Sequence, residues 1–575
     1  MKQSNSVLAW ARHYRRGYLA GDISAGIVVA MMMLPQSMAY AIVAGLPPVT
    51  GLYASIVPPL LYALFGTSRT QSVGPMAIIS LMTASALAPL STPGSGLHGV
   101  LAAQLALMSG AVLLACALAR LGFLANFFSR PVMSGFTLGS ALVIAWGQAA
   151  SLVGENAPAG TVDVFGRLRI HPASAALGLG AIVLLLLAKR HLARLLRRAG
   201  LNPEAASIGA RLVPMLVVVG GAVLVGLGAA GGNVPTIGAV PAGLPGLNLA
   251  IAPAYWKPLL QPALLIGFMI FLISMSSSQA LANVPAPGDP DSAPSKPLAN
   301  FELAGLGLAN IGSAFSGGMP VTGSISRAAV NVAAGANTPL ASIISAGLLA
   351  LALVAPTGYL ALVPLPVLAA TIIVAVLGML EMDTLRTSLK YDRSDALALL
   401  GTAGGVLAGG VEAGVVIGVL LSMATLIWRA SRPHIAVLGR LAGSDHFRNV
   451  ERYPEGTAGG TDPAVLLLRI DAFLFFGNID AVTERIERET AARPALRHLV
   501  LILSAVNAID TSALFGLAEI NRALAARGVT LHLAEVKGPV MDRLKTVNLL
   551  AELKGQVFMS TADAFDALSV RSAAR

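Results

Sequence analysis

The chain has 575 residues, of which 55% are hydrophobic and only 12% are charged, and its formal net charge is +11. This apolar content exceeds what a soluble core of that size needs, so most of it must face lipid. The basic residues form short clusters between long apolar runs, a pattern that argues against nucleic acid as a partner and indicates membrane topology.

Apolar runs recur from residue 22 to residue 428. Because a bilayer core needs about 20 apolar residues per helix, we predict about fourteen spans, two of them short. The clear runs lie near 23–44, 51–66, 97–119, 132–150, 172–188, 212–230, 259–282, 338–356, 364–380, 396–410 and 411–428. Three weaker runs are interrupted by Gly and Pro and lie near 75–89, 301–315 and 323–335.

Four basic clusters set the predicted orientation, since Lys and Arg close to span ends stay cytoplasmic. They are Arg12, Arg15 and Arg16; the stretch 189–211; Arg386, Lys390 and Arg393; and Arg429 with Arg432. With fourteen spans all four clusters fall on one side, which places both termini in the cytoplasm. We therefore expect a multi-pass protein of the inner (plasma) membrane, with a cytoplasmic segment 1–21 and a transport domain 22–430.

The character of the chain changes after Arg432. From residue 464 onward, short apolar runs of strand length alternate with helical patterns that have one polar face, which predicts a small cytoplasmic α/β domain over 464–575. The stretch 431–463, polar and Gly-rich over most of its length, is predicted to be a linker, and the Pro-rich segment 284–297 a non-helical cytoplasmic loop.

Two of the weak spans each contain signals for a helix that starts inside the membrane. Gly74-Pro75 should begin a helix at about Pro75, because proline is favoured at the first helical position. A second helix should begin near Gly323, with Thr322 or Ser324 as its cap. Half-helices that start inside the membrane expose unpaired backbone donors and the positive end of the helix dipole. Two such ends facing each other would form a cradle for an anion near the bilayer midplane.

Arg327 lies about one turn into the second half-helix, and a cation at membrane depth is a functional-site candidate. We expect the backbone donors to bind the anion and Arg327 to tune the field around it. Other interpretations remain: Gly74-Pro75 could only kink a helix, and Arg327 could extend to the cytoplasmic interface. Gln36 and Tyr40, four residues apart on one helical face, could line a cavity or only join neighbouring helices.

Carboxylates are scarce in the predicted spans. Asp22, Glu302, Glu381, Asp383 and Glu412 lie near predicted ends or turns, where solvation or capping is the simpler role, so no buried acid is proposed for sodium or protons. The single cysteine, Cys116, supports neither a disulfide framework nor a thiolate metal site. We expect no cofactor and no metal, and no phosphate-binding loop for ATP-driven pumping is present in the sequence.

These residues resemble the sulfate permease (SulP) family of anion transporters. The match to the family signature runs through PQSMAYA, AGLPP, GLY, GTSR and GP between residues 22 and 81, and through GLANIGSAFSGGMPVTGSISRAAVN at 307–331. The tail over 503–544 is similar to the domain shared by sulfate transporters and anti-sigma-factor antagonists (STAS).

The resemblance implies a mainly α polytopic fold of seven helices plus an inverted seven-helix repeat, divided into a core and a gate like the uracil permeases. It implies a homodimer that works by elevator-like movement of the core. It also implies a substrate held between the two half-helix ends, by Gln36, Tyr40, Val73, Gly74, Pro75, Met76, Ser324, Ile325, Ser326 and Arg327.

One departure from the family concerns coupling. Many members carry an acid in the eighth span ahead of a QALA-like string, and alignment on Gln279 puts Ile273 at that place. Exchange or uncoupled anion movement is then favoured over cation symport. The nearby Ser274, Ser276, Ser277 and Ser278 could donate to the substrate cavity or support helix packing. In the tail, Asp510-Thr511-Ser512 matches a phosphorylation site of the antagonists, although Asp510 as a helix cap is the simpler interpretation.

The leading hypothesis is a secondary transporter of small inorganic anions, with sulfate first. The alternatives are a chloride/bicarbonate exchanger or a dicarboxylate transporter. A different class is an anion-sensing membrane scaffold that signals through its tail to a cytoplasmic regulator. An enzyme has little support, because the sequence shows no metal-ligand cluster or nucleophile elbow.

Overall fold

The computed structural model describes residues 9–12, 14–123, 129–154, 171–200, 203–228, 234–281, 298–355, 357–378, 380–547 and 549–569. The predicted Pro-rich loop 284–297 lies outside these residues, as do the side chain of Glu412 and residues 1–8. The chain forms two compact units, Met1–Ser422 and Met423–Arg575.

The first unit is helical. Its helices are α1 (Ala9–Arg12), α2 (Leu19–Val43), α3 (Pro48–Tyr53), α4 (Val57–Phe65), α5 (Ala77–Leu87), α6 (Gly96–Leu118), α7 (Arg130–Gly147), α8 (Ala149–Val153), α9 (Pro172–Leu187), α10 (Ala193–Arg198), α11 (Pro203–Gly226), α12 (Trp256–Leu281), α13 (Ala299–Phe315), α14 (Ile325–Ala333), α15 (Leu340–Val354), α16 (Gly358–Ala361), α17 (Leu365–Leu377), α18 (Met382–Tyr391) and α19 (Arg393–Ser431). Two short strands interrupt them, β1 (Val73–Gly74) and β2 (Thr322–Gly323).

Each of the fourteen predicted runs coincides with one or more of these helices. In the described part of the chain, nine helical segments are long and apolar enough to cross a bilayer, and Ala77–Leu87, Leu212–Gly226 and Leu340–Val354 are shorter apolar helices. The predicted boundary between the last two spans falls within α19, where Gly410 has a φ of 82° and breaks the helix. That left-handed conformation is one glycine adopts without a Cβ penalty.

The second unit is built on a mixed six-stranded sheet. Its strands are β3 (Ile435–Arg440), β4 (Phe447–Asn449), β5 (Val465–Ile470), β6 (His498–Ile502), β7 (Thr530–Ala534) and β8 (Val557–Phe558), in the order β4-β3-β5-β6-β7-β8. The helices of this unit are α20 (Ile479–Ala491), α21 (Thr511–Ala526), α22 (Gly538–Leu544), α23 (Leu549–Glu552) and α24 (Thr561–Leu568). Strands β5 to β8 are parallel neighbours joined through helices, as the alternating pattern predicts.

The stretch 431–463 differs from the predicted linker. Strand β3 pairs antiparallel with β5, matching Ile435 with Ile470, and β4 pairs with β3 on its other side. The alternation IAVLGR places Ala436 and Leu438 in the apolar layer on one face of the sheet, which outweighs the polar and Gly-rich residues that follow. The linker prediction is therefore wrong for 435–440 and 447–449.

Candidate substrate site

The two breaks in the membrane helices meet in space. Strands β1 and β2 pair antiparallel, with Val73 opposite Gly323 and Gly74 opposite Thr322. Each strand leads at once into a helix, α5 from Ala77 and α14 from Ile325. Pairing between the strands, together with side chains around them, therefore provides partners for main-chain groups where both spans are interrupted, as is required of backbone at membrane depth.

Arg327 joins the two breaks. Its side chain is only 2% exposed and donates from Nη1 to the carbonyl of Pro75 at 2.7 Å and from Nη2 to the carbonyls of Gly74 at 3.2 Å and Thr322 at 3.4 Å. Among the described residues, its buried Nε meets no acceptor. Neutral carbonyls do not cancel the guanidinium charge, so the site keeps a positive field. This burial excludes an Arg327 side chain that extends out of the protein to the cytoplasmic interface.

The two half-helices start differently. Ser324 caps α14 by accepting from the amide of Arg327 at 3.5 Å, as one of the two predicted candidates. Helix α5 begins two residues after the predicted Pro75, because Met76 is extended (φ −141°, ψ 143°) and the Pro75 carbonyl accepts from Arg327 instead of a helical amide.

Only the tip of α14 is open. Ile325 is 45% exposed and Ser326 is exposed, whereas Met76 and Ala77 at the start of α5 are buried. The first amides of a helix have no intrahelical acceptor, so those of Ile325 and Ser326 are available donors at an accessible surface. This arrangement can bind an anion at α14, with the α5 dipole and the Arg327 charge acting from behind.

Buried polar side chains hold β2 in place through hydrogen bonds. The sequence motifs that resemble the family include such residues, but the motifs do not show this role. Asn310 is fully buried; its Nδ2 donates to the Val321 carbonyl at 3.0 Å and its Oδ1 accepts from the Val321 amide at 2.9 Å. Ser274 accepts from the Gly323 amide at 2.8 Å. Ser277 donates to Gln71 Oε1 at 2.9 Å. These two serines support packing, which decides between their two predicted roles; Ser276 is exposed and Ser278 is buried.

Close packing explains glycine at the paired positions. A Cβ at Gly323 would overlap the side-chain amide of Gln71 and come within 2.9 Å of Ser274 Oγ. A Cβ at Gly74 would lie 2.6 Å from Met33 Cε. The first obstacle is fixed by hydrogen bonds and the second is the end of a flexible side chain, so Gly323 is the stricter requirement.

Two of the five acids are buried in the described part of the chain, so solvation, one of the two roles predicted for them, does not apply. Asp22 and Glu302 are both 0% exposed. Asp22 accepts from the amides of Asn337 at 2.7 Å and Thr338 at 3.0 Å, from the Thr338 hydroxyl at 2.6 Å and from Tyr14 at 3.3 Å. Of the two predicted roles, capping therefore fits Asp22, because a carboxylate that accepts from consecutive amides tolerates burial.

Glu302 likewise accepts hydrogen bonds from consecutive amides, in another loop. It accepts from the amides of Thr67 and Ser68 at 3.0 Å each, from the Thr67 hydroxyl and from Tyr62 Oη at 2.6 Å. The loop that it holds leads into β1, and the loop that Asp22 holds follows α14. We call these two groups the carboxylate clamps. Each fixes the chain next to one of the two half-helices.

The remaining predicted residues lie on α2 and α12. Tyr40 is 6% exposed and shares an apolar cluster with Ala77, the first residue of α5, while Gln36 lies one turn earlier on the same helix and is partly exposed. Ile273 is 6% exposed and packs in the apolar cluster that contains Val73 and Met76. Glu381 and Asp383 are exposed, as expected for interfacial acids.

Comparisons with known proteins agree with this architecture. A model of the sulfate permease family matches residues 19–402, and a model of the STAS domain matches residues 460–564. A probable sulfate transporter of Mycobacterium tuberculosis is 32% identical over 571 residues, which cover 97% of each chain. The chloroplastic sulfate transporter 4.1 of Arabidopsis thaliana is 33% identical over 544 residues, covering 91% of this chain and 76% of its own.

Solved structures give the same fold. The murine anion transporter solute carrier 26 family member A9, in an inward-facing state, has a TM-score of 0.84 at 20% identity and covers 99% of this chain and 94% of its own. The transmembrane domain of the cyanobacterial bicarbonate transporter BicA has a TM-score of 0.58 at 21% identity and covers 71% and 98%. At these identities the likeness concerns the fold alone, and the predicted polytopic α fold with a sheet-containing STAS tail is confirmed.

Proposed function

The chain belongs to the sulfate permease family, and from that premise we propose that it is a secondary transporter of small inorganic anions with sulfate as its first substrate. One observation carries the proposal: an open helix tip at Ile325 and Ser326 stands beside a buried, uncompensated Arg327 where the two broken spans pair. The relatives named as sulfate transporters support the choice of anion.

The proposed binding mode uses main-chain donors. The anion accepts from the amides of Ile325 and Ser326 and from the Ser326 hydroxyl, and the Arg327 charge raises its affinity without direct contact. Ser324, Gln36 and Tyr40 complete the proposed wall, together with Val73, Gly74, Pro75 and Met76. The four residues from Val73 to Met76 are buried, so they act by shaping the break and orienting its dipole.

We propose that transport uses elevator-like alternating access. The paired breaks, α12 and the carboxylate clamps form one braced body, which we propose moves as the core against the remaining helices as the gate. Its rigidity keeps the anion site intact while the access side changes.

Coupling is proposed to be exchange or uncoupled anion movement. In the alignment on Gln279, Ile273 occupies the place of the family's acid, and it packs in the apolar cluster that contains Val73 and Met76. Chloride, bicarbonate and dicarboxylates remain the alternative substrates. Dehydration costs a dianion more than a monoanion, while two dipoles and an arginine also attract it more strongly, so charge alone does not choose between them.

Uptake by proteoliposomes tests the function. Purified chain is loaded with one internal counter-anion, and labelled sulfate, chloride, bicarbonate and a dicarboxylate are offered outside while pH gradient and voltage are varied independently. We expect sulfate uptake that depends on the internal anion and not on the proton gradient. If no anion moves while the tail captures a cytoplasmic partner in an anion-dependent way, the sensing scaffold replaces the transporter.

Three further properties belong to the same proposal. The basic clusters support the proposal that both termini are cytoplasmic and that the protein lies in the plasma membrane. A homodimer and a regulatory role for the STAS tail are proposed because of the family to which the chain belongs. No catalytic role is proposed, since the family and the relatives are transporters.

A further inference from the structure

A cavity of approximately 640 Å³ lies beside α2, away from the paired breaks. One wall is formed by Ala30, Met31 and Pro35 of α2 together with Leu348 of α15. The facing wall comes from the second half of α11, where Ala222 lines it, and from the segment 359–363 around α16. The volume falls in the range of small-molecule sites, about 300–1,000 Å³.

The wall is apolar in all directions. Among the described residues that line it none is charged, and Tyr359 alone carries a side-chain polar atom. Pro35 lies inside α2 and has no N–H, so the Met31 carbonyl lacks its usual helical donor. A site of this kind is a poor host for water, which needs two to four polar partners.

The cavity is continuous with the surface that faces lipid. On α11, Val219 is 46% and Val223 52% exposed, and Leu227, directly after the helix, is 76% exposed; all three also line the cavity. An apolar molecule that covers this face of α11 therefore enters the cavity without crossing a polar rim.

We infer that one acyl chain of a bilayer phospholipid occupies this cavity. The phospholipid is chosen as the source because the opening lies among exposed apolar residues at the end of α11, a helix whose apolar part, Leu212–Gly226, belongs to the membrane unit. An acyl chain that moves from the bilayer into this cavity gains no hydrophobic transfer energy, since the bilayer interior is equally apolar. The gain is dispersion contact with walls that would otherwise face a void.

An acyl chain in the cavity would affect the movement of α2, the helix that carries Gln36 and Tyr40. Pro35 lines the cavity and directly precedes Gln36, and the opposite wall belongs to α11 and α16. A chain wedged between these walls limits how far α2 can shift against α11. This consequence for turnover rests on the proposed transport function, whereas the binding itself does not.

Binding is tested on the full-length protein in nanodiscs made from phospholipid with dibrominated acyl chains. We expect a bromine peak between Met31 and Ala222 in the reconstructed density. A cavity that is empty, or closed by its own side chains, would overturn the inference, and this measurement requires no variant.

A variant pair tests the source of the chain. Ala222→Phe fills the cavity, and Leu224→Phe places the same ring on the same helix, at a residue that is 43% exposed and lies outside the cavity wall. By native mass spectrometry after detergent washing, Ala222→Phe should retain about tenfold less bound phospholipid than Leu224→Phe and the unmodified chain. Equal retention in both variants, or retention of free fatty acid instead, contradicts the proposal.

A transport readout separates this inference from the proposed function. Sulfate uptake by the unmodified chain and by Leu224→Phe should change with acyl-chain length and unsaturation, and uptake by Ala222→Phe should not. Absence of sulfate uptake in all three would count against the transporter, while the bromine density would still stand.

Discussion

Single side chains connect elements that lie far apart in the sequence. Arg327 reaches carbonyls on both breaks, and each carboxylate clamp ties a helix end to a loop from another part of the chain. Burial makes each of these contacts costly to lose, because a buried carbonyl or amide that loses its partner retains its desolvation penalty. A few buried side chains thus supply both the charges and the hydrogen bonds that hold these elements together.

Replacing Arg327 tests two roles of this residue: its charge at the proposed anion site and its hydrogen bonds to the carbonyls of the two breaks. Arg327→Ala removes the charge and leaves three carbonyls without that donor, so we expect a large loss of anion affinity and about 2–4 kcal/mol of stability. Arg327→Lys keeps the charge but not the planar fork, and should recover part of the affinity with less of the stability.

The measurement pairs thermal unfolding of the purified variants with the KM for anion uptake. Unchanged KM and turnover in folded Arg327→Ala would remove the residue from the site. A stability loss with unchanged KM would leave it only the bracing role.

Glu302→Gln should disturb the loop before β1. Glutamine keeps one oxygen for the Thr67 and Ser68 amides, but it loses the negative charge and replaces the oxygen that accepts from Tyr62 with an NH2 group. We therefore expect a loss of about 2 kcal/mol in the free energy of unfolding. Asp383→Asn is the matched control, since its side chain is 98% exposed, and it should unfold like the unmodified chain. Indistinguishable thermal unfolding of the two variants would show that the clamp is dispensable.

At the scale of elements, the strand pair β1–β2 is the smallest unit on which the site depends. Its two residues per strand could not be predicted from the sequence, because runs this short have no detectable period. Half-helices could be predicted, since Pro75 and Ser324 carry local start signals. The register could not, because it depends on Asn310 of α13, Ser274 of α12 and Gln71 in the loop before β1, and the sequence does not show that these residues meet.

Gly323→Ala tests that register. The added methyl overlaps Gln71, whose amide is already engaged by Ser277, so we expect lost transport and a lower melting temperature. Gly347→Ala is the control: it lies inside α15 with nothing within 4 Å of its Cβ, and it should be neutral or slightly stabilising. Normal uptake by Gly323→Ala would mean that the pairing can shift without cost.

In the tail, β6 and β7 carry a histidine pair with a pH consequence. Burial lowers the pKa of His532 from 6.5 to about 4, with the His498 charge adding to the effect. The Gln556 amide donates to His532 Nδ1 at 3.0 Å, which favours the neutral ring. The unfolded chain takes up a proton near pH 6.5 and the folded chain does not until about pH 4, so stability is lost as pH falls through that window.

Hydrogen exchange of β7 in the full-length protein checks this expectation. After correction for intrinsic rates, protection should fall from pH 7 to pH 5 in the unmodified chain and change less in His532→Gln. An identical pH dependence in both would assign the loss to other groups.

For the whole molecule, composition and basic clusters were enough to predict the polytopic fold, and the strand-helix alternation was enough for the α/β tail. The inner boundary of the tail was missed, because Ile435–Arg440 is a single short strand whose partner β5 begins 25 residues after it ends. The buried acids were missed for a related reason: Glu302 is satisfied by Thr67 and Ser68, more than two hundred positions away.

This boundary decides how the tail should be removed. Truncation after Arg432 takes away the entire sheet, and we expect a folded membrane unit that retains part of its anion uptake. Truncation after Gly439 leaves β3 without β5, an unpaired edge that favours aggregation. Size-exclusion profiles and uptake of the two truncations test this, and complete loss of uptake by the folded shorter chain would make the tail integral to transport.

The contact between Arg327 and Pro75 joins positions that are 252 residues apart. At ribosomal speeds of about 5–20 residues per second, the first break waits roughly 13–50 s for its partner during synthesis. Through that interval a non-helical strand and a proline turn stay in or beside the bilayer with their main-chain groups unmet. We therefore expect the first break to depend on protection during membrane insertion, before Arg327 has been synthesised.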